Sequence, residues 1–390
     1  MHHTAHVALL IETSRAYGRG LLRGIVRYQR EHGPWSIYFQ PRGINDPAPG
    51  WLRNWKGDGI LARVRDRKMA STIERTGIPC VDLRFAVPGL EMPAVGIDNT
   101  TIVRRALDHF LDRGFRRFAV CSYPEGQFAW MDVRTRLFCG LVSQAGFDCQ
   151  VFTGSAEEDA SPPAWELEQS QIAKWVSRLP KPVAIFAVND DRGLQILDAC
   201  RRASVHVPDE VSVLGVDNDE FLCGLSTPPL SSVSVNLETV GYRAAELLDG
   251  MMRHGVKPPA EPLLLPAGDV VARKSTDSLA IDDPELSKVV RYLREHACEG
   301  IRMTDITRAT GMERRTLERR MKALFGRSPK DELMRIQIEE AKRLLASTEL
   351  SIKAISMRTG FANSRYFTQV FRTRVGVAPG QFRHASRGKT

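Results

Sequence analysis

No run in this chain of 390 residues comes near the ~20 consecutive apolar positions that a membrane-spanning helix needs. The amino terminus, MHHTAHVALLIETS, has no Lys/Arg region ahead of its short apolar run, so a signal peptide is not expected. Cysteine is sparse. The seven residues (Cys80, Cys121, Cys139, Cys149, Cys200, Cys223, Cys298) are odd in number, without C-x-x-C and without histidines at zinc-ligand spacing. They are read as reduced thiols of a cytoplasmic protein, and no metal or other cofactor is expected. Catalytic signatures are missing too: there is no G-x-x-x-x-G-K-[ST], no H-E-x-x-H and no G-x-S-x-G. The stretch Gly18-Arg19-Gly20-Leu21-Leu22-Arg23-Gly24 comes close to a dinucleotide fingerprint, but its third glycine falls one residue late. His109, in a helical stretch, reads as a packing or solvated residue rather than a base. An enzyme is not expected.

What is present is an ordinary globular composition, 43% hydrophobic and 26% charged, on a chain long enough for two or three domains. The formal net charge is +9, and it is unevenly placed. From Asp283 to Thr390 there are 23 Lys+Arg against 12 Asp+Glu, a net of +11, which leaves −2 for residues 1–282. A polyanionic partner is therefore sought in the last quarter of the chain.

Residues 6–274 alternate β-branched runs with amphipathic stretches. Strands are predicted at 6–11, 35–39, 59–64, 79–83, 118–122, 149–153, 183–188, 211–216 and 232–235. Helices are predicted at 19–31, 99–113, 134–145, 164–177, 192–203 and 237–254. Such alternation implies parallel, doubly wound sheets in two lobes, with ligands held outside the carboxyl ends of strands. The alternation stops at the polar segment KSTDSLAIDDP, residues 274–284, taken as a linker between an effector domain of residues 1–273 and a helical domain of residues 285–390.

The helical domain repeats itself. Asp305-Ile306-Thr307-Arg308-Ala309-Thr310-Gly311 is followed by Leu317, Met321 and Gly326; Ala354-Ile355-Ser356-Met357-Arg358-Thr359-Gly360 is followed by Phe367, Phe371 and Gly376. An apolar residue five before a turn glycine, with later apolar residues facing inward, is helix-turn-helix spacing. Between the copies, Ser328-Pro329-Lys330-Asp331 offers a cap and a first-turn proline for a connecting helix to about residue 347. With Leu317 and Phe367 as inward anchors, the flanking offsets face outward. Arg315, Arg319, Arg365 and Gln369 are then the candidates for base edges, with Thr316, Glu318 and Ser364 as lesser ones. Arg314, Arg320, Lys322, Arg372 and Arg374 are assigned to phosphates.

The stretch Gly360-Phe361-Ala362-Asn363-Ser364-Arg365-Tyr366-Phe367-Thr368-Gln369-Val370-Phe371-Arg372, then Gly376-Val377-Ala378-Pro379-Gly380-Gln381-Phe382-Arg383, resembles the carboxyl-terminal signature of AraC/XylS-type activators. Ala378 departs from the Ser or Thr usual there, and Met321 from the usual Phe. The preceding region resembles the LacI/GalR and periplasmic sugar-binding fold. Its marks are Ala187-Val188-Asn189-Asp190, Gly215-Val216-Asp217-Asn218, Thr227-Pro228-Pro229-Leu230-Ser231-Ser232-Val233 and Val95-Gly96-Ile97-Asp98-Asn99. A sensor of that kind followed by a double helix-turn-helix is the arrangement of XylR-type regulators, which the chain resembles over its whole length, including Arg15-Ala16-Tyr17.

That resemblance implies a cytoplasmic, homodimeric transcription activator that binds double-stranded operator DNA, works with RNA polymerase, and answers to a sugar, D-xylose first. It assigns effector contact to Arg134, Asn189 and Asp217, with Tyr17 and Asp82 as further candidates. Guanidinium and carboxylate suit vicinal hydroxyls, which both accept and donate. Tyr17, Phe128 and Trp130 are the candidates for stacking on the sugar's apolar face. Asp98 reads as a helix cap.

Overall fold

The computed structural model describes residues 4–43, 46–84, 87, 89–154, 162–281 and 283–387. The chain divides into two compact units, Met1–Phe110 with Phe115–Ser278, and Leu111–Gly114 with Leu279–Thr390.

The first unit opens with β1 (His6–Leu10), α1 (Ala16–His32), β2 (Ser36–Phe39), β3 (Gly59–Ala62), α2 (Arg67–Glu74), β4 (Cys80–Asp82), β5 (Val95–Ile97) and α3 (Asn99–Leu111). It continues through β6 (Phe118–Cys121), α4 (Ala129–Gln144), β7 (Cys149–Phe152), α5 (Pro162–Arg178), β8 (Val183–Ala187), α6 (Asp190–Arg202) and β9 (Val211–Asp217). It ends with α7 (Glu220–Leu225), β10 (Ser231–Ser234), α8 (Leu237–His254), β11 (Leu263–Leu265) and β12 (Val270–Val271).

Two sheets result. One is parallel with order β2-β1-β3-β4, and the pair β5 and β11 adjoins it through a bridge between Asp82 and Ala94. The other has order β12-β10-β9-β8-β6-β7, parallel except where β12 runs against β10. The chain thus builds the first lobe, crosses to the second, returns for α8 and β11, and crosses once more to β12. This is the two-lobed α/β architecture expected from the alternation. Each lobe has an apolar core, around Ala8, Ile60 and Ile73 in the first and around Ile185, Val213 and Ile196 in the second.

The returning helix α8 lies on α1, and the approach is at backbone level. A Cβ at Gly24 would overlap the Glu238 carbonyl, one at Gly241 the Leu21 carbonyl, and one at Gly18 the Glu12 carbonyl. The glycines that mimic a dinucleotide fingerprint are therefore packing residues: Gly24 meets the α8 backbone, Gly20 the Leu237 side chain and Gly18 the backbone before α1.

Elements that the sequence reading lacked are short: β5, β11 and β12 have three, three and two residues, and α7 has six. Such lengths carry no readable periodicity. Helix α2, eight residues long, was also missed, although Asp66 caps it by accepting from the Met69 N–H at 2.8 Å. Helix α4 starts at Ala129 rather than Arg134, which places Trp130 one turn before Arg134 on the same helix.

In segment 274–284, Lys274–Thr276 forms a 3-10 turn in which Ser275 and Thr276 are fully buried. Burial is tolerated because Ser275 Oγ donates to the Val213 carbonyl at 2.6 Å and accepts from the Ser231 N–H at 2.8 Å. The division between units falls after Ser278, and Asp282 lies outside the described residues.

The second unit contains α9 (Pro284–His296), α10 (Met303–Thr310), α11 (Arg314–Phe325), α12 (Pro329–Ser347), α13 (Ile352–Arg358), α14 (Ser364–Val375) and α15 (Pro379–Arg387). Gly311 and Gly360 have φ of 71° and 78°, the left-handed turn that the repeat called for. Leu317 and Met321 close one core, Phe367 and Phe371 the other, and all four are fully buried. Ser328 caps α12, accepting from the Asp331 N–H at 3.1 Å, with Pro329 at the first helical position. The 19 residues of α12 span about 28 Å at the usual helical rise.

Replacing Gly24 with Ala should lower the thermal midpoint, by an overpacking cost of about 1–3 kcal/mol or more. Gly140→Ala, in α4 where a new Cβ meets nothing within 4 Å, should raise it by about 0.5–1 kcal/mol. Thermal unfolding followed by circular dichroism checks both, and a Gly24→Ala protein as stable as the parent would contradict the backbone contact.

Candidate functional site

Two sites emerge, one in each unit. In the second unit, α11 and α14 are the second helices of the two helix-turn-helix repeats. Burial of Leu317 and Met321 turns Arg315, Glu318 and Arg319 outward, with Thr316 half-buried beside them. Burial of Phe367 and Phe371 turns out Arg365 and Gln369, with Ser364 half-buried at the helix start. Asn363 caps α14 by accepting from the Tyr366 N–H at 2.8 Å. Ser364, Arg365 and Gln369 border a shallow depression shared with Lys353 and Arg372. Arg315, Arg319 and Arg365 make no hydrogen bond or ion pair among the described residues, so their donors are free for another partner.

Not every basic residue is so available. Arg320 is half-buried and paired with Asp283 at 2.8 Å, and Arg374 is paired with Asp331 at 2.6 Å. Both were expected on phosphates; Asp283, the cap of α9, holds Arg320 half-buried, whereas Arg374 stays exposed beside Asp331 of α12. Arg314 pairs with Glu318 along the helix at 2.9 Å, an arrangement that leaves the guanidinium exposed. Behind the repeats, the fully buried Glu332 accepts from Arg327 and Arg335, and Asp112 takes up both guanidiniums at 2.8 Å. Burial alone would raise the Glu332 carboxyl, but the two guanidiniums pull it below its ordinary range.

In the first unit the post-strand segments of both sheets converge on one cavity. Arg15 caps α1 after β1 and Tyr17 lies in its first turn, Arg63 and Arg84 follow β3 and β4, and Asn99 opens α3. Trp130 and Arg134 come from α4, and Asp217 from the end of β9. This is where a doubly wound sheet holds ligands. Arg134 is fixed: its Nη1 donates to the Val188 carbonyl at 2.7 Å and its Nε to Asn99 Oδ1 at 2.9 Å. Its Nη2 lies 3.9 Å from Asp217 Oδ1, close enough for attraction and too far for a hydrogen bond. Asp217 has φ of 103°, a costly backbone for a non-glycine residue, and its side chain is aimed by that strain.

The remaining arginines are propped by rings and a shared acid. Arg63 stacks on Tyr17 at 4.3 Å and Arg84 on Trp130 at 4.0 Å, while Glu12, itself buried, pairs with both guanidiniums. Arg63 Nε, Arg84 Nε and Asp217 Oδ1 are buried with no hydrogen-bond partner. The electrostatics match that state. Burial lowers Arg63 well below its ordinary value and brings Arg84 down to about 10. Burial, tempered by the Arg134 guanidinium, pushes the Asp217 carboxyl up to about 6. Donors and an acceptor are thus left unsatisfied around the same space, which encloses only about 30 Å³, room for one water.

Comparison with known proteins places this geometry. The XylR N-terminal domain family matches residues 6–87, a periplasmic binding protein-like domain family residues 107–276, and a helix-turn-helix domain family residues 306–385. The xylose operon regulatory protein of Escherichia coli K12 is 30% identical over 385 residues, which cover 97% of this chain and 96% of that protein. The chain belongs to the XylR family of xylose operon regulators. The Haemophilus influenzae xylose operon regulatory protein is 29% identical over 383 residues, covering 97% of both. A solved structure described as the xylose-binding transcription activator XylR superposes with a TM-score of 0.63 at 29% identity, covering 98% of this chain and 99% of that one. A complex of the transcriptional regulator CelR with cellobiose, 22% identical, shares the fold over 70% of this chain and 85% of its own, with a TM-score of 0.58.

As a XylR-family member the chain is a DNA-binding transcription regulator with a sugar-binding type of sensor unit. The structure brings Arg134, Asp217 and Tyr17 together around the cavity. It leaves Asn189 and Asp82 outside the lining. Asn189 caps α6, accepting from the Arg192 N–H at 2.9 Å, and Asp82 Oδ1 accepts from the Val64 and Arg84 N–H groups, both at 3.0 Å. Asn189 thus serves an unpaired N–H of the first turn of α6, and Asp82 the N–H groups that follow β3 and β4. Asp98 caps α3 as expected, accepting from the Thr100 N–H at 2.8 Å. Phe128, one of the stacking candidates, packs on Tyr123 instead, at 5.1 Å. Arg63, Asn99 and, as lining residues, Arg15 and Arg84 were not foreseen.

Arg315→Ala or Arg365→Ala should each cost about 1–3 kcal/mol in operator binding and relax preference at one base position. Arg320→Ala should leave base preference unchanged and act on stability. Binding isotherms over an operator library separate the two; a loss uniform across all sequences would move Arg315 or Arg365 to the phosphate contacts.

Proposed function

We propose that this regulator is a cytoplasmic homodimer that activates pentose-utilisation genes in the presence of D-xylose, held in the cavity of the first unit, and that it works through RNA polymerase without catalysing any reaction. The observation that carries the effector reading is the pairing of buried, unsatisfied donors (Arg63 Nε, Arg84 Nε) with a buried, unsatisfied acceptor (Asp217 Oδ1) around one space. A hydroxyl both accepts and donates, so a polyol completes every group at once where an ion of either sign would complete half of them. Arg134, Asp217 and Tyr17 carry the effector contact in this reading. Asn189 and Asp82 support it from behind by holding α6 and the β4 strand end. The names of the relatives put D-xylose first among the sugars.

The enclosed volume is far below that of a pentose, so entry requires the lobes or the stacked arginines to move. Sugar binding then shifts the regulator toward a DNA-competent state only in so far as that state binds the sugar better.

Calorimetry with D-xylose against other pentoses and hexoses tests the assignment, with operator binding measured in the same samples. Asp217→Asn should lower sugar affinity by about 1.5–3 kcal/mol while leaving operator binding without sugar unchanged. Because the Asp217 carboxyl is raised to about 6, it gains a proton as pH falls through that value and loses its charge as an acceptor. Sugar affinity should therefore be level above about pH 7 and fall toward about pH 5, and the Asn variant should lack the inflection. Sugar bound equally well by the Asn variant, or recovered chemically altered, would overturn this function.

A further inference from the structure

A buried carboxyl stands behind the effector cavity without lining it. Asp190 opens α6 and is only 2% exposed. Its Oδ2 accepts from the Asp219 N–H at 2.7 Å and its Oδ1 from Ser232 Oγ at 2.6 Å. Ser232, fully buried on β10, accepts in turn from the Asn218 N–H at 3.0 Å. The carboxyl has its place only because β9 carries Gly215 there, where a Cβ would overlap Asp190 Oδ1.

The two N–H groups held in this way are the ones that follow Asp217. Asp217 and Asn218 have φ of 103° and 50°, two successive left-handed positions without a glycine. Such backbone persists only where its surroundings over-determine it. Here those surroundings are Asp190 on the Asp219 N–H, Ser232 on the Asn218 N–H, and Arg273, whose Nη2 donates to Asn218 Oδ1 at 2.9 Å. Burial first, and then the charge of Asp217, raise the Asp190 carboxyl well above its ordinary range, so the fold gives up stability to keep an acid at this point.

We propose that Asp190, acting with Ser232, is a positioning residue of the effector site: it fixes the left-handed turn that carries the Asp217 side chain into the cavity, and so sets sugar affinity without touching the sugar. This rests on the effector role proposed for Asp217. Without the two hydrogen bonds the turn relaxes toward ordinary backbone, and Asp217 Oδ1 leaves its station 3.9 Å from Arg134 Nη2. The arrangement that binds sugar is then populated for a smaller fraction of the time, and apparent affinity falls by that fraction.

Calorimetric titration with D-xylose tests this on the full-length parent, Asp190→Ala, Ser232→Ala, Asp217→Ala and the two double variants that include Asp217→Ala, with folding followed by circular dichroism. Asp190→Ala should weaken sugar binding about tenfold and Ser232→Ala about fivefold, the order expected when such hydrogen bonds are lost. In the Asp217→Ala background both effects should largely vanish, because Asp190 acts through Asp217, whereas a merely structural loss would multiply with it. If Asp190→Ala does not fold, Ser232→Ala carries the same comparison. Parent-like affinity in the folded Asp190 and Ser232 variants, beside weak binding by Asp217→Ala, would overturn the positioning role and leave the effector reading standing. Losses that multiply in the double variants would overturn it as well. Parent-like affinity in Asp217→Ala would overturn the effector reading and this inference together.

Discussion

The contact of α1 with α8 is the constraint on which the sensor depends. The chain leaves the first lobe after β5 and must come back to complete it, and α8 is the element that returns. It can lie flat on α1 only where no side chains intervene, at Gly24 against Glu238 and at Gly241 against Leu21. With α8 seated, β11 reaches β5, the chain crosses once more to β12, and the ends of β1, β3, β4 and β9 face one another. The residues around the cavity come from positions 15 to 217, so the site draws on both lobes.

The second unit solves a simpler problem twice. Each repeat buries two residues one turn apart on its second helix, and that choice alone orients the arginines beside them. The connecting helix α12 is rooted by an acid that no water reaches, Glu332, clasped by Arg327 and Arg335. Removing one partner of such a cluster would strand a charge, whereas the exposed Arg314–Glu318 pair adds little to stability.

Legibility followed the range of the signal. The outward placement of Arg315 and Gln369 could be read because the anchors that orient them, Leu317 and Phe367, are only two residues away. That Asp217 and Arg134 line one cavity was in reach because the segments after strands are where the two sheets converge. Arg63 was not, since the strand end ARVRDR holds three arginines and nothing local says which one a distant tyrosine will stack upon. Asn189 and Asp82 stand outside the cavity lining for a physical reason. A carboxylate or amide after a strand is equally suited to a ligand and to unpaired backbone N–H groups, and the nearer partner took both. The +11 charge of the last quarter singles out the helical unit but not which of its arginines are unpaired, because Asp283 and Asp331 take up Arg320 and Arg374.

The smallness of the space between the lobes has a bearing on time. A chamber with room for one water when empty must part to take in its ligand and part again to let it go. In the proposed reading, the residence of a bound sugar reflects the packing around this space as well as the hydrogen bonds it makes.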